Sequence, residues 1–321
     1  MYGAHRRYTC LELCAGAGGL SLGLEHAGFD PVLLIDKNPA TATTLFANRP
    51  QWPTETGDLC NFVASERPET LDVDLLAAGL PRLRAAATAA RPDDEDERRL
   101  IRATAMLVSE VQPQAVLIEN VPGLVEKEEF EAVRRELHDE LEHLGFKITW
   151  HVLNARDFGV PQHRPHGFMV AMRPELIGGF DWPTPPATVS TTVGGTLLSS
   201  MGSRGWHGAR AWADRADGPA PTIVGGSDKR GGPDLGPTGS KRKWATYGVN
   251  GGTVADRVPD ATFAEDLVPL TVQQVALLQG FPVDWVIPGR KTSAYRQVGH
   301  ATPPPLAAAV GGAIAHALHN A

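Results

Sequence analysis

Glycines and acids stand together near the start of the chain in an order that suits a small charged ligand. Cys14-Ala15-Gly16-Ala17-Gly18-Gly19-Leu20 follows the apolar run Tyr8–Leu13 and leads into residues 21–28, which read as a short helix ending at Gly28. Glycine permits the sharp turn and lets the backbone approach a ligand with no Cβ in the way. The amides that open the next helix can hold a carboxylate or a phosphate. The loop has neither Gly-x-Gly-x-x-Gly nor a phosphate-binding lysine. Gly16-x-Gly18-Gly19 with Gly23 therefore fits S-adenosylmethionine better than a dinucleotide or nucleoside triphosphate; the alternative is a turn that binds nothing. Asp36 ends the apolar residues 31–35, where an acid commonly takes ribose hydroxyls. Asp58 follows a short segment and suits the exocyclic amine of an adenine. A third acid, Glu119, ends the apolar residues 115–118. The alternatives are turn acids at Asp36 and Asp58, and at Glu119 a carboxylate satisfied by backbone amides.

Positioning these groups requires strands that all deliver their carboxyl ends to one edge. Strands are expected at 8–13, 31–35, 72–79, 115–118, 146–153 and 167–172, and helices at Pro39–Asn48, 93–111, 130–144, 271–280 and Pro304–His319. The alternation predicts an α/β fold, a mostly parallel sheet with helices on both faces. From Trp182 to about Pro269 the chain is rich in Gly, Pro, Thr and Ser with little periodicity, and reads as a smaller, irregular inserted lobe.

Taken in order, the motifs resemble the bacterial DNA (cytosine-5) methyltransferases. They are the loop 16–19, Gly57-Asp58, Glu119-Asn120-Val121, Gly159-Val160-Pro161-Gln162-x-Arg164, Leu270-Thr271, Gln279-Gly280-Phe281-Pro282 and Tyr295-Arg296-Gln297-Val298-Gly299-x-Ala301. The resemblance implies a Rossmann-like S-adenosylmethionine-dependent methyltransferase domain over 1–182, a target-recognition domain over 183–268, and a C-terminal segment over 269–321 completing the large domain. It implies cofactor contacts from Cys14, Ala15, Gly16, Gly18, Gly19, Leu20, Asp36, Asp58, Leu59, Gly79, His300 and Ala301. It also implies a flipped cytosine from double-stranded DNA, with Glu119 donating to ring nitrogen 3 and Arg164 near the base, as in restriction-modification enzymes; the alternative for Arg164 is a structural ion-pair partner.

The family's nucleophile is the cysteine of a Pro-Cys dipeptide on the loop after the fourth strand; here that dipeptide is Pro81-Arg82. An arginine stays protonated in proteins and cannot add to ring carbon 6. Further departures are Leu34 for the ribose-binding glutamate, Cys14 for an aromatic residue, His166 for the second arginine of Gln-x-Arg-x-Arg, and His300 for an asparagine. Leu34 implies weakened S-adenosylmethionine binding, and Arg82 is a group that could pair with Glu119. The expected function is therefore a family member without ordinary covalent catalysis, binding DNA or partnering a competent methyltransferase. The alternatives are an active cytosine methyltransferase and altered chemistry on a nucleobase. Cys60 reads as a buried core thiol rather than a substitute nucleophile.

Composition limits the remaining readings. Thirty Lys and Arg against 37 Asp and Glu leave a formal charge of −7, so any DNA contact must come from a local basic set. Lys229, Arg230, Lys241, Arg242 and Lys243, interleaved with glycines near Trp244, read as phosphate-contacting loops, or else as solvated ones. Three cysteines without metal-site spacing predict no metal and no disulfide framework. Neither a signal peptide nor a spanning apolar run is read, which predicts a cytoplasmic protein without membrane association.

Overall fold

The computed structural model describes residues 7–83, 92–186, 191–225 and 232–320. Seven strands, β1 (Tyr8–Leu13), β2 (Phe29–Asp36), β3 (Thr54–Thr56), β4 (Leu75–Gly79), β5 (Ala115–Asn120), β6 (Lys147–Asn154) and β7 (Pro165–Met172), form one sheet in the order β3-β2-β1-β4-β5-β7-β6. The pairs from β3 to β5 are parallel, and β7 runs antiparallel to β5. This is a doubly wound α/β sheet, whose strand order reverses between β1 and β4.

Helices α1 (Gly19–His26), α2 (Pro39–Asn48), α3 (Pro92–Val111), α4 (Pro122–Glu126) and α5 (Glu131–His143) connect the strands, and α6 (Pro174–Ile177) follows β7. Alternation along each strand sorts the side chains. Leu11, Leu13, Leu33, Ile35, Leu76, Ala78, Val116 and Ile118 join one core with Ile101 and Val108 of α3 and Leu137 and Leu141 of α5. The intervening positions, Glu12 with its register partners Leu34 and Ala77, face the other way. Asn38 caps α2 by accepting from the Ala40 amide, ahead of a proline at the first helical position.

By its contacts the chain forms two compact units: residues 1–153, 165–184 and 307–321, and residues 154–164 with 185–306. Of the segment 269–321, expected to complete the large domain, residues 269–306 thus pack with the second unit and only 307–321 join the sheet unit. The second unit is also more helical than its composition suggested. It contains α7 (Val193–Gly202), α8 (Ala209–Arg215), α9 (Thr238–Thr246), α10 (Val272–Leu278) and α11 (Lys291–His300), and α12 (Pro304–His319) follows. Among the described residues no helix is long and apolar enough to cross a membrane.

Gly194 explains how a glycine-rich segment can be a helix here. A Cβ on it would lie 2.0 Å from the Ala213 carbonyl oxygen, so α7 packs backbone to backbone on α8. Gly194→Ala is expected to cost about 3 kcal/mol through overpacking. Gly239→Ala in α9, where a Cβ meets nothing within 4 Å, should instead gain about 0.5–1 kcal/mol. Thermal unfolding of the two variants checks the pair; equal midpoints would refute the packing argument.

Candidate active site

The parallel strands deliver the expected chemistry to one edge of the sheet unit. Cys14 leaves β1 with a φ of 57°, followed by Gly16 at 55° and Gly18 at 81°, so three left-handed residues in five make the turn. Two of the three are glycines, for which this conformation is free of strain. Gly18 opens α1 with no side-chain cap on the helix amides. Gly79, at the end of β4, lies against the turn: its Cβ would meet the Cys14 carbonyl oxygen at 3.6 Å and Leu20 at 3.8 Å.

Asp36 braces this turn. Its Oδ2 accepts from the Gly16 amide at 2.9 Å and its Oδ1 from the Asn38 amide at 2.8 Å, while the Ala15 amide donates to the Ile35 carbonyl. Asp58 caps the turn Leu59–Asn61 by accepting from the Cys60 amide at 2.9 Å. Both acids act as turn acids, with lone pairs left for a ligand. Leu59 is buried in the core shared with α3. Cys60 is half-buried rather than a core thiol.

The sequence reading overlooked Glu12. It sits inside β1, almost wholly buried, and its Oε1 has no hydrogen-bond partner among the described residues; neither has the Ser21 hydroxyl in the first turns of α1. Burial pushes the Glu12 carboxyl up to about 8; the Ser21 hydroxyl and amide, close to the carboxyl but short of a well-formed hydrogen bond at Oε1, oppose the rise, and the charge of Asp36 adds to it. An acid within an apolar strand was the available signal. Burial likewise pushes the Cys14 thiol up to about 12, with the Asp36 charge as the second cause.

The loop after β4 is held by Asn120. Its Nδ2 donates to the Pro81 carbonyl at 3.0 Å, and its Oδ1 accepts from the Leu83 amide at 3.0 Å, bracketing half-buried Arg82. Residues 84–86 lie outside the described residues. Beside Asn120, Glu119 meets His166 of β7, Oε1 to Nδ1 at 2.5 Å. The structure gives this carboxylate to His166, where the sequence reading had offered Arg82.

The second unit holds the remaining expected residues. Arg164 is buried and donates to the carbonyls of Ile223 and Gly299, the latter at 3.0 Å. Gln162 donates to Gln279 at 2.5 Å and accepts from the Ile223 amide at 2.7 Å, and Gln279 donates to the Val298 carbonyl at 2.7 Å. Three sequence motifs are thus bonded to one another. His300 lies over Gly225, and Ala301 is buried next to it. Lys241, Arg242 and Lys243 stand on α9 rather than on a loop. Lys241 pairs with Asp234 at 2.7 Å, Lys243 lies 4.4 Å from the Tyr247 ring centroid, and Arg242 is exposed. Lys229 and Arg230 lie outside the described residues. Among the described residues no cluster of three or more His, Cys, Asp or Glu could hold a metal ion.

Fold and edge together define a Rossmann-like methyltransferase. Two solved structures share the fold: a mutant of Spodoptera frugiperda DNMT2 (TM-score 0.65, 15% identity, 96% of this chain and 99% of that one) and the Dnmt2 methyltransferase of S. pombe (TM-score 0.61, 17% identity, 98% and 99%). The C-5 cytosine-specific DNA methylase family matches residues 8–316. The type II methyltransferase M.NaeI of Lentzea aerocolonigenes is 42% identical over 311 residues, 96% of this chain and 75% of that protein. M.NgoMIV of Neisseria gonorrhoeae is 38% identical over 316 residues, 97% and 98%. The chain belongs to the C-5 cytosine-specific DNA methylase family.

S-adenosylmethionine fits the residues at this edge. The turn brings bare amides to the start of α1, and below it lie an orphaned carboxyl oxygen and an orphaned hydroxyl suited to a polar, amine-bearing head. When bound, this cofactor supplies an electrophilic methyl group.

Proposed function

We propose that this chain retains the DNA- and cofactor-binding parts of its family, does not methylate cytosine by the covalent route, and serves as a DNA-binding protein or the partner of a competent methyltransferase. The observation that carries the reading is Arg82, bracketed by the Asn120 bonds where the family's thiolate is expected. Tritium transfer from labelled S-adenosylmethionine to mixed DNA tests it, with the chain alone and with a competent methyltransferase added. Robust transfer by the chain alone would establish the active reading instead.

Cofactor binding is expected to be weak. Leu34 is fully buried in β2, and no carboxylate stands there to accept ribose hydroxyls. A lost charged hydrogen bond costs roughly 1.5–3 kcal/mol, about tenfold to a hundredfold in dissociation constant. Titration calorimetry measures it, and a submicromolar constant would contradict the loss.

DNA binding is assigned to the basic set in the second unit. Lys241 is already paired, so Arg242 and Lys243 are expected to carry most of the effect on α9. Replacing both with alanine should lower the slope of log affinity against log salt by about two, since each phosphate contact releases close to one counterion. An unchanged slope would make them a solvated helix face. Lys229 and Arg230 complete the set, and neutralising all five should flatten the slope further.

A further inference from the structure

Glu119 has a partner that the sequence motifs did not supply. β7 runs antiparallel to β5 in a register that sets Glu119 opposite Phe168 and Asn120 opposite Gly167. His166, one residue earlier on β7, places Nδ1 2.5 Å from Glu119 Oε1, with both side chains nearly out of water at 3% and 11% exposure. The position is tightly built. A Cβ on Gly167 would lie 2.6 Å from the Val121 carbonyl oxygen and 2.9 Å from Val125, and the buried Phe168 ring lies 6.2 Å from the imidazole, centroid to centroid. At 3% exposure, with the Phe168 ring on the same face of β7, the imidazole has little room to leave the carboxyl.

We propose that His166 is the positioning residue of Glu119 and makes its grip on an extrahelical pyrimidine proton-dependent, favouring cytosine when the pair holds one proton and thymine when it holds none. The inference rests on the reading that a flipped base reaches Glu119. Cytosine ring nitrogen 3 is an acceptor, so it needs the proton that the pair carries, whereas a bare carboxylate facing that lone pair repels it. Thymine ring nitrogen 3 bears a hydrogen, which a bare carboxylate accepts. No covalent bond forms or breaks, and the proton stays within the pair or returns to solvent. An arginine at position 166 would keep a fixed charge and could not release the proton in this way. The other charged groups on bordering elements are Arg82 on the loop after β4, Glu126 of α4, Glu175 of α6, and Lys147 and His151 of β6. Strands β4, β5 and β7 contribute no further titratable group.

The test uses the full chain and duplexes that differ only in one unpaired cytosine or thymine opposite an abasic site, with affinities measured by fluorescence anisotropy from pH 6 to 8.5. The ratio favouring cytosine is expected to fall at least tenfold over that range. In His166→Arg, which keeps a side chain able to bond the carboxylate, the ratio should be flat, and in Glu119→Gln the ratio should also lose its pH dependence. A pH-independent ratio in the unmodified chain, with both duplexes bound, would overturn the proposal and leave DNA binding intact. Failure to bind either duplex would overturn the functional reading. Nuclear magnetic resonance of the His166 ring, compared between the unmodified chain and Glu119→Gln, then reports the contact itself. Ring resonances unmoved by the substitution would sink the pairing whether or not DNA binds.

Discussion

Duplex DNA carrying 5-fluorocytosine is expected to form no covalent adduct with this chain, and Arg82→Cys to restore only a trace. The route begins with a thiolate adding to ring carbon 6, because carbon 5 is a poor nucleophile until that addition occurs. A guanidinium remains protonated at any pH the protein survives. In a serine protease, loss of the nucleophile costs about a millionfold in rate, and a loss of that size here leaves no measurable methylation. Other thiols are poorly placed to substitute. Cys60 follows β3, three strands from β4 in the sheet, about 14 Å at ordinary strand spacing. Cys10 is buried within β1, and burial holds its thiol well above the usual range. Cys14 stands one strand away, but with its thiol pushed up to about 12 only roughly one molecule in 10⁵ carries the thiolate at pH 7. Restoration by Arg82→Cys should be feeble because Leu83 is committed to the core and His166 and Leu34 remain changed. The measurement is a denaturing gel shift of the fluorinated duplex. An adduct with the unmodified chain would overturn the reading, and a strong one in Arg82→Cys would show that one residue alone silences the enzyme.

Local signals decided which parts of this fold were legible. The bounds of α2 and α12 were read directly, α2 from Pro39 at its start and Asn48-Arg49-Pro50 at its close, α12 from its long alanine-rich apolar run. β3 was legible only as a short segment ahead of Asp58, without bounds: three residues with no buried face give no periodic signal. Helix α7 was hidden by its glycines and serines, although Val193, Leu197 and Met201 recur every four residues and are all buried. A count of period rather than of composition would have found it. The candidate site divides in the same way. Gly16, Asp36 and Glu119 announce themselves by type and by their position at strand ends. The pairing of Glu119 with His166 does not, because the two are 47 residues apart and meet only through the antiparallel return of β7. Arg164 could be read from sequence either as a contact to the base or as a structural partner; in the structure it bonds to backbone, and the motif glutamines bond to backbone and to one another within the second unit.

Glu12→Gln is expected to change how stability depends on pH. A carboxyl whose folded value is about 8 keeps its proton in the folded chain while the unfolded chain, near 4.3, releases it. Between those values the folded state binds more protons than the unfolded, so the stability contributed by this group falls as pH rises, by about 1.4 kcal/mol per unit. Its contribution is full below about 4.3 and exhausted above about 8. The register explains the size of the shift. Glu12 lies between Leu34 on β2 and Ala77 on β4, both fully buried, so no neighbouring strand supplies a positive charge or a donor at that level, and Ser21 of α1 alone opposes the shift. Glutamine is nearly isosteric and does not titrate, so any misfit of its amide shifts stability by a constant and leaves the slope. Histidines and surface acids are common to both chains and cancel in the difference. From pH 5.5 to 7.5, Glu12→Gln should therefore gain on the unmodified chain by about 3 kcal/mol. Urea unfolding at three pH values, without cofactor, gives the comparison. Parallel stability curves would mean that the carboxyl is already ionised in the folded chain, with a compensating donor beside Oε1.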